Sequence, residues 1–300
     1  MRELASELIR VLTEHDYCEQ ELPLWFCWDD LRQLLANCSG SSTLKLIDGQ
    51  GNVMALRSDF TAAVALGLDK DSRSSRRKLS YAGPVYRAEQ GECIALEQVG
   101  CESIGSGSLE DDLELIRVSV ECFRRVGLDQ VAVVVNSVAL LRQVTAQFGA
   151  KAQEELLALA KRRSVAGLRT ALLDLGQPGQ DLASQMFRSE CPDSLALFTG
   201  SCQAELERLQ AVFRLLQRLG TSVSFDPTLI REPDYYTGLV FEFYAQGVPH
   251  ALGGGGRYDR LIRGQSGFLP AAGFALNVNA LKAARTKAIT SQAYELSGHH

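Results

Sequence analysis

Two neighbouring segments near the carboxyl end of the chain concentrate residue types that bind small polar molecules. Residues 231–238 hold an arginine and two tyrosines, and residues 253–259 begin with four consecutive glycines. A guanidinium group can bind a carboxylate through two parallel hydrogen bonds, and glycines let the backbone approach a ligand closely. The two segments predict one ligand pocket. Its candidate contacts are Arg231, Tyr235, Tyr236 and Tyr258.

Two further candidate positions each have a second interpretation. Arg87 stands at the end of a predicted strand, two residues before an acidic residue on the same face. Such a pair could hold a charged ligand, but surface ion pairs of this kind are common. Asp59 and Thr61 lie at a predicted helix start, where Asp59 could contact a ligand or only cap the helix. The residues alone leave both interpretations open.

Gln98 and Glu102 lie four residues apart in one predicted strand, so their side chains project from the same face. That face could be the ligand-facing side of a sheet, although alternating polar residues are equally usual on a solvated face. The glycines at 253–256 lack the spacing of a phosphate-binding loop or a dinucleotide fingerprint. Taken alone, they also fit the bulged end of a hairpin.

The composition excludes several function classes. With 46% hydrophobic and 22% charged residues, the chain of 300 residues is predicted to be soluble and globular. A net charge of -5 argues against broad binding to nucleic acid or anionic membrane, and the basic run at residues 73–78 is interpreted as a solvated loop. The eight cysteines form no Cys-x-x-Cys pair, so we expect reduced thiols and no metal or other cofactor.

Targeting signals are not recognisable in the sequence. No apolar run has the length of a membrane span, and charged residues interrupt the amino-terminal segment where a signal peptide would be apolar. We therefore expect a cytoplasmic protein. Residues 297–300 resemble the start of a purification tag, so no function is assigned to them.

Hydrophobic periodicity predicts an α+β fold. Helices and strands alternate up to residue 136, only helical patterns occur in residues 137–221, and strands resume afterwards, including one at 248–252. The predicted organisation is a core in two parts interrupted by a helical insertion. Its boundaries are 1–136 for the first core part, 137–221 for the insertion, 222–290 for the second core part and 291–300 for a tail.

In their order along the chain, these segments resemble the motifs of histidyl-tRNA synthetase, a class II aminoacyl-tRNA synthetase. Residues 56–61 resemble its Leu-Arg-Pro-Glu-Gly-Thr segment, and residues 83–89 resemble class II motif 2. Residues 231–238 and 253–259 resemble its two histidine-specific signatures. The resemblance covers residues 2–285 and implies a mostly antiparallel sheet flanked by helices.

The resemblance also implies a histidine site and a homodimer, the latter from Pro23 at the position of the motif 1 proline. The residues implied to line the site are Asp59, Thr61, Arg87, Gln98, Glu102, Arg231, Tyr235, Tyr236 and Tyr258.

Three departures from the synthetase pattern predict that adenylation is lost. Only ten residues separate Arg87 from Gln98, where the synthetase has a long basic loop. Ala280 stands where the motif 3 arginine binds ATP, and a methyl group cannot neutralise a triphosphate. The sequence ends soon after motif 3, so we expect no anticodon-binding domain.

A retained amino-acid pocket without adenylation chemistry resembles the regulatory-subunit family of ATP phosphoribosyltransferase. This resemblance implies a non-catalytic chain that activates the short-form catalytic subunit in the first step of histidine biosynthesis and mediates feedback inhibition by histidine. The implied assembly is a homodimer within a hetero-oligomer, without membrane or tRNA binding. Two alternatives stay open: a truncated or divergent histidyl-tRNA synthetase, favoured by the retained Arg231, and a synthetase paralogue that binds RNA or regulates a kinase.

Overall fold

The computed structural model describes residues 2–35, 43–68, 76–89, 91–188, 202–265 and 267–296. The helices are α1 (Arg2–Glu14), α2 (Trp28–Leu34), α3 (Phe60–Gly67), α4 (Leu109–Arg125), α5 (Val138–Ala146), α6 (Ala150–Lys161), α7 (Val165–Leu173), α8 (Gln177–Arg188), α9 (Gln203–Arg218) and α10 (Val278–Leu296). The strands are β1 (Cys18–Glu19), β2 (Trp25–Cys27), β3 (Lys45–Ile47), β4 (Val53–Leu56), β5 (Arg77–Glu89), β6 (Glu92–Ile104), β7 (Val131–Ser137), β8 (Ser222–Phe225), β9 (Leu239–Ala245), β10 (Gly253–Arg257) and β11 (Ala271–Asn277).

An eight-stranded sheet with the order β1-β5-β6-β11-β10-β9-β7-β8 forms the centre of the fold. Its two outer pairs, β1 with β5 and β7 with β8, are parallel, and its inner pairs are antiparallel. A smaller antiparallel sheet has the order β2-β4-β3. The prediction of an α+β fold with a mostly antiparallel sheet is confirmed.

The two faces of the large sheet differ in polarity because successive side chains of a strand point to opposite sides. In β6, Val99 and Cys101 join the main apolar core, whereas Gln98 and Glu102 lie on the other side. In β9, Phe241 and its neighbour two residues on point into that core. Helices α1 and α4 contribute leucines to the core and contact each other. One face is therefore closed by helices, and the other is free to form a polar site.

Helices α5 to α9, defined here as the helical region, lie between β7 and β8 in the chain. Leu156, Leu168 and Leu182 of this region are buried in the same apolar core as the sheet residues. In the described part of residues 138–221 no strand occurs. Treating these helices as a separate inserted domain remains a prediction.

The strand prediction at 248–252 was wrong, because the observed strand β10 is the glycine run itself. Glycines carry no side chains and so give no alternating hydrophobic pattern, yet β10 pairs with β9 on one side and β11 on the other. The basic run was also partly misassigned. Arg77 begins β5, and Lys78 contacts Glu114. Residues 73–75 and the possible tag at 297–300 lie outside the described residues.

The described residues contain neither a membrane-spanning helix nor a cluster of metal-ligating side chains. No helix there is long and apolar enough to span a bilayer. Within the same ranges, no three His, Cys, Asp or Glu side chains cluster as metal ligands would.

A buried ion network joins α4 to β10 and α9. The carboxylate of Asp112 is fully buried and accepts hydrogen bonds from Arg257 Nε (3.1 Å) and Nη2 (2.6 Å). Arg208 of α9 donates to its other oxygen. Arg257 is itself buried and also donates to Asp259 (3.0 Å). Removal of one member would leave a buried charge without its partner.

We therefore expect Asp112→Asn to lower the free energy of unfolding by roughly 3–5 kcal/mol, as found for broken buried ion pairs. Chemical denaturation of the parent and the variant measures this difference. The matched control is Asp129→Asn at an exposed position, which should change stability by less than about 0.5 kcal/mol. Equal stability of both variants would contradict a structural role for this network.

Candidate functional site

A cleft on the polar face of the large sheet is the candidate functional site. It encloses about 850 Å³ of space, part of which is open to solvent. Strands β6, β9, β10 and β11 form its floor, the start of α3 forms one wall, and residues 231–236 form another. Of the nine residues implied by the sequence, seven line it: Asp59, Thr61, Arg87, Gln98, Arg231, Tyr235 and Tyr236.

The other two implied residues, Glu102 and Tyr258, do not line the cleft but are buried next to residues that do. Glu102 is fully buried and accepts hydrogen bonds from Thr61 Oγ1 (2.7 Å), from Tyr81 Oη (3.0 Å) and from the hydroxyl of Tyr258. Three segments distant in sequence therefore meet at one carboxylate. Thr61 belongs to both groups, because it lines the cleft and also donates to Glu102.

The space for the Glu102 side chain exists because Gly273 faces it in β11. A β-carbon at Gly273 would overlap the Glu102 carboxylate and the carbonyl oxygen of Cys101. Burial raises the pKa of Glu102 to about 7, although the hydroxyls of Tyr258, Thr61 and Tyr81 act in the opposite direction. Glu102 is thus a carboxylate stabilised by hydroxyl groups and not by a contacting cation.

Asp59 caps the amino terminus of α3 and also faces the cleft. Its Oδ1 accepts the N–H of Ala62 (2.8 Å), while its Oδ2 is buried without a hydrogen-bond partner. Burial raises the pKa of Asp59, opposed by the Ala62 N–H and by the nearby Arg87. The capping and ligand-binding interpretations of Asp59 are therefore compatible, because each uses a different oxygen atom.

Arg87 and Arg57 have different surroundings. Arg87 lines the cleft and donates from Nε to the carbonyl oxygen of Ser58 (3.1 Å). Arg57 is buried, donates to the carbonyl oxygens of Leu22 (2.9 Å) and Pro84 (2.8 Å from Nη2), and lies over the Phe60 ring. Arg57 therefore fixes the backbone around the site, whereas Arg87 presents its charge to the cleft.

Arg231 lies over the glycine strand, where a β-carbon at Gly254 would overlap its guanidinium. Its Nη1 donates to Glu242 Oε1 (2.8 Å), and its buried Nε has no hydrogen-bond partner. Burial acts to raise the pKa of Glu242, but Arg231, Tyr244 and Arg163 together hold it below its ordinary value. Glycine is therefore required at position 254, because the guanidinium group of Arg231 occupies the space that a β-carbon would fill.

Sequence reasoning missed several cleft residues, among them Glu242, Tyr81 and Asn277. Glu242 was recognisable in principle, because it is the sole charged residue of an otherwise apolar and aromatic strand. Tyr81 and Asn277 carry no comparable signal, since isolated polar residues at strand positions are common.

The comparison with known proteins agrees with this geometry. The profile described as "Histidyl-tRNA synthetase" matches residues 1–281. The chain belongs to the histidyl-tRNA synthetase family. Two features set it apart from the motif pattern of that family: β5 ends at Glu89 and β6 begins at Glu92, so the motif 2 hairpin is tight, and Ala280 in α10 packs against the apolar core.

Curated proteins with similar sequences are named as regulatory subunits. The chain is 34% identical over 258 residues to an ATP phosphoribosyltransferase regulatory subunit of Geobacillus thermodenitrificans. The aligned region covers 79% of this chain and 64% of the relative. The chain is also 26% identical over 299 residues to a protein of the same name from a Thermoanaerobacter species, covering 92% and 76%. The chain thus spans 64% of the first of these relatives and 76% of the second. These names agree with the prediction of a non-catalytic chain.

Solved structures confirm the fold. An ATP phosphoribosyltransferase regulatory subunit/histidyl-tRNA synthetase from Bacillus halodurans C superposes with a TM-score of 0.84 at 25% identity, covering 94% of this chain and 78% of that one. A histidine–tRNA ligase subunit from Alicyclobacillus acidocaldarius gives 0.79 at 25% identity, covering 96% and 93%. The ATP phosphoribosyl transferase (HisG:HisZ) complex from Thermotoga maritima contains a chain with the same fold, with a TM-score of 0.72 at 21% identity over 92% and 96%.

The raised pKa of Glu102 predicts a specific pH dependence of stability. Because the folded-state pKa of about 7 exceeds the ordinary 4.5, folding favours the protonated form. The contribution of Glu102 is complete below about pH 4.5 and is lost as the pH rises through about 7. Relative to Glu102→Gln, the parent should therefore lose about 3 kcal/mol of unfolding free energy across this window, at 1.36 kcal/mol per pKa unit.

Denaturant unfolding of both proteins at several pH values measures this difference. Glu92→Gln removes the same type of charge from an exposed position of the same strand and should follow the parent curve. A constant difference between the parent and Glu102→Gln from acid to neutral pH would show that Glu102 does not titrate in this range.

Proposed function

We propose that this chain is a non-catalytic regulatory subunit of ATP phosphoribosyltransferase, acting in the first step of histidine biosynthesis. It binds histidine in the cleft, activates the short-form catalytic subunit within a hetero-oligomer and mediates feedback inhibition. The observation that carries the proposal is a cleft that keeps opposed charges for an amino acid, while the position of the ATP-binding arginine holds Ala280. The names of the curated relatives support it.

The charges in the cleft fit an amino-acid zwitterion. The unpartnered Oδ2 of Asp59 can accept hydrogen bonds from an ammonium group, and Arg87 or the free Nε of Arg231 can donate to a carboxylate. Glu102 lies deeper, behind the Thr61 hydroxyl. In this arrangement Asp59 is the direct partner of the ammonium, and Glu102 orients the hydroxyl groups around the ligand.

Hydroxyl and amide side chains of the cleft are the proposed partners of the imidazole ring. Tyr235 and Tyr236 line the cleft with their ring centroids 4.8 Å apart, and Gln98 lines it from β6. Hydroxyl and amide groups can both donate and accept hydrogen bonds, as a neutral imidazole requires of its partners. Histidine is therefore a better match to this cleft than an amino acid with an apolar side chain.

Loss of adenylation follows from the missing cations. A triphosphate in its transition state needs fixed positive groups, and each such group contributes several kcal/mol, about 3–4 in measured cases of electrostatic stabilisation. The tight β5–β6 hairpin leaves no room for a long basic loop, and Ala280 carries no charge. The chain therefore keeps groups that can recognise an amino acid and lacks two of the cationic elements that would activate it.

The proposed homodimer uses the three-stranded sheet. By strand register, one face of that sheet carries five apolar or thiol side chains. The opposite face is covered around Ala55 by Leu31 of α2 and Ala62 of α3. Trp25 on the uncovered face is 57% exposed, and a second copy of this chain would bury it. The residues of this face, here called the dimer face, are Trp25, Cys27, Leu46, Met54 and Leu56.

The proposed location is the cytoplasm. In the described residues the cysteines are unpaired, and Cys18, Cys27 and Cys93 are exposed. Exposed thiols of this kind fit a reducing compartment.

Reconstitution with a short-form catalytic subunit tests the proposed function. Adding this chain should raise the rate of phosphoribosyl transfer to ATP, and histidine should suppress the rate of the complex. Asp59→Asn should weaken inhibition by histidine about ten- to hundredfold, since a hydrogen bond to a charged group contributes about 1.5–3 kcal/mol. Asparagine is an equally good helix cap, so α3 should stay intact. Titration calorimetry of histidine with the isolated chain checks the same loss.

Several outcomes would contradict this proposal. A catalytic subunit that behaves identically with and without the chain would exclude a regulatory role. Robust ATP–pyrophosphate exchange in the presence of histidine would instead indicate a divergent synthetase. Tight, salt-dependent tRNA binding would indicate an RNA-binding paralogue.

The dimer face is tested by Trp25→Glu, which places a charge within the proposed contact. We expect the dimer to dissociate at least about 30-fold more readily, because a buried tryptophan contributes about 2 kcal/mol or more at such interfaces. Light scattering after gel filtration over a concentration series measures this change. Ile47→Glu on the opposite face of the same sheet is the matched control and should remain dimeric. Two variants with the same mass as the parent would place the interface elsewhere.

A further inference from the structure

Glu242 connects the ligand cleft to the helical region. It lines the cleft, and its Oε1 accepts the Nη1 of Arg231 (2.8 Å). Its Oε2 accepts the Nη2 of Arg163 (2.9 Å) and the hydroxyl of Tyr244 (2.6 Å). Arg231 belongs to the cleft wall, whereas Arg163 lies in the turn between α6 and α7. One carboxylate is therefore shared by a cation of the cleft and a cation of the helical region.

Arg163 occupies a backbone position that normally takes glycine. Its φ is 53°, and its N–H bonds the carbonyl of Ala160 (2.8 Å) while the N–H of Ser164 bonds the carbonyl of Leu159 (3.1 Å). This is the Schellman arrangement at a helix end, where a β-carbon is strained. Helices α4 and α9 end in the same arrangement with glycine, at Gly127 and Gly220.

The comparison within the chain indicates a role for the Arg163 side chain. Four helix ends have this arrangement: two use glycine, α1 uses Asp16 and α6 uses Arg163. Aspartate tolerates the left-handed conformation, whereas arginine adopts it only with a strained backbone. Strain of this kind persists where a side chain contributes something that glycine cannot. The side chain of Arg163 reaches Glu242 and lies 3.7 Å from Asp226 Oδ2. Its contribution is therefore the contact between the helical region and the strands at the cleft.

A second contact joins the same helix end to the cleft wall. Lys161 Nζ lies 2.5 Å from Asp234 Oδ2. The neighbours of Asp234 on both sides, Pro233 and Tyr235, line the cleft. The carboxyl end of α6 and the turn that follows it thus contact both the cleft wall that contains Arg231 and the strand β9 that contains its partner Glu242.

We propose that Glu242 and Arg163 couple occupancy of the cleft to the helical region, an inference that rests on the proposed function. Arg231 and Arg163 share one carboxylate, each through a different oxygen atom. A ligand carboxylate that engages Arg231 weakens its hold on Glu242, which leaves Glu242 to Arg163 and tightens the α6–α7 turn on β9. Linkage requires the converse: without Arg163, Glu242 stays with Arg231 and the ligand binds less tightly.

Calorimetric titration of the full chain with histidine tests the coupling in four proteins: the parent, Arg163→Gly, Glu242→Gln and the double variant. Glycine suits the backbone at position 163, so the fold should be kept. We expect Arg163→Gly to weaken histidine binding about three- to tenfold in the parent background and to have no effect in the Glu242→Gln background. Arg162→Gly removes the same charge from the adjacent exposed residue and should bind as the parent does.

Equal losses in both backgrounds, or no loss from Arg163→Gly, would overturn the coupling while leaving histidine binding by the parent in place. A second measurement needs no ligand. Arg231→Gln removes the cation of the cleft, so it should slow amide exchange at residues 161–166, because Glu242 then pairs with Arg163 alone. Slowed exchange in a chain whose parent does not bind histidine would retain the coupling and reject the proposed function. Unchanged exchange would reject the coupling.

Discussion

The carboxylate of Glu102 is the point around which the site is built. It is fully buried, and hydroxyl groups from α3, from β5 and from the residue that follows β10 donate to it. A buried carboxyl group is stable only when its hydrogen-bonding sites are filled, so these three segments must keep their relative positions. Gly273 supplies the space on the neighbouring strand. The geometry of the cleft floor therefore follows from one requirement of hydrogen-bond satisfaction.

The polar cleft depends equally on the apolar face of the same sheet. Strand alternation sends Phe241 into the core and Glu242 into the cleft, so a single strand serves both purposes. The core beneath is closed by α1, α4 and the helical region. Burial of apolar side chains on the core face of the sheet provides the free energy of folding. The cleft face can therefore hold buried charged groups that would destabilise an isolated sheet.

Recognition and activation of an amino acid require different groups. Recognition needs partners for an ammonium and a carboxylate, a role that we propose for Asp59, Arg87 and Arg231, which line the cleft. Activation needs further cations on the triphosphate, where this chain has a short hairpin and an alanine. In the proposed function, a synthetase fold becomes a sensor of its former substrate by losing a few cations. The shared carboxylate of Glu242 then offers a physical route from ligand to distant helices.

The sequence by itself determined most element types, the polar face of β6 and seven of the residues at the cleft, because hydrophobic period and family motifs are local signals. Gln98 and Glu102 were placed on one face from their spacing alone. The sequence did not reveal that the glycines form a central strand, since residues without side chains carry no period. Only the tertiary structure decided that Glu102 is buried behind the cleft lining, that Asp59 keeps one oxygen free, and that Arg231 and Arg163 meet at Glu242. These facts depend on contacts between residues up to 156 positions apart in the chain, as between Glu102 and Tyr258, and such distances lie beyond any local pattern.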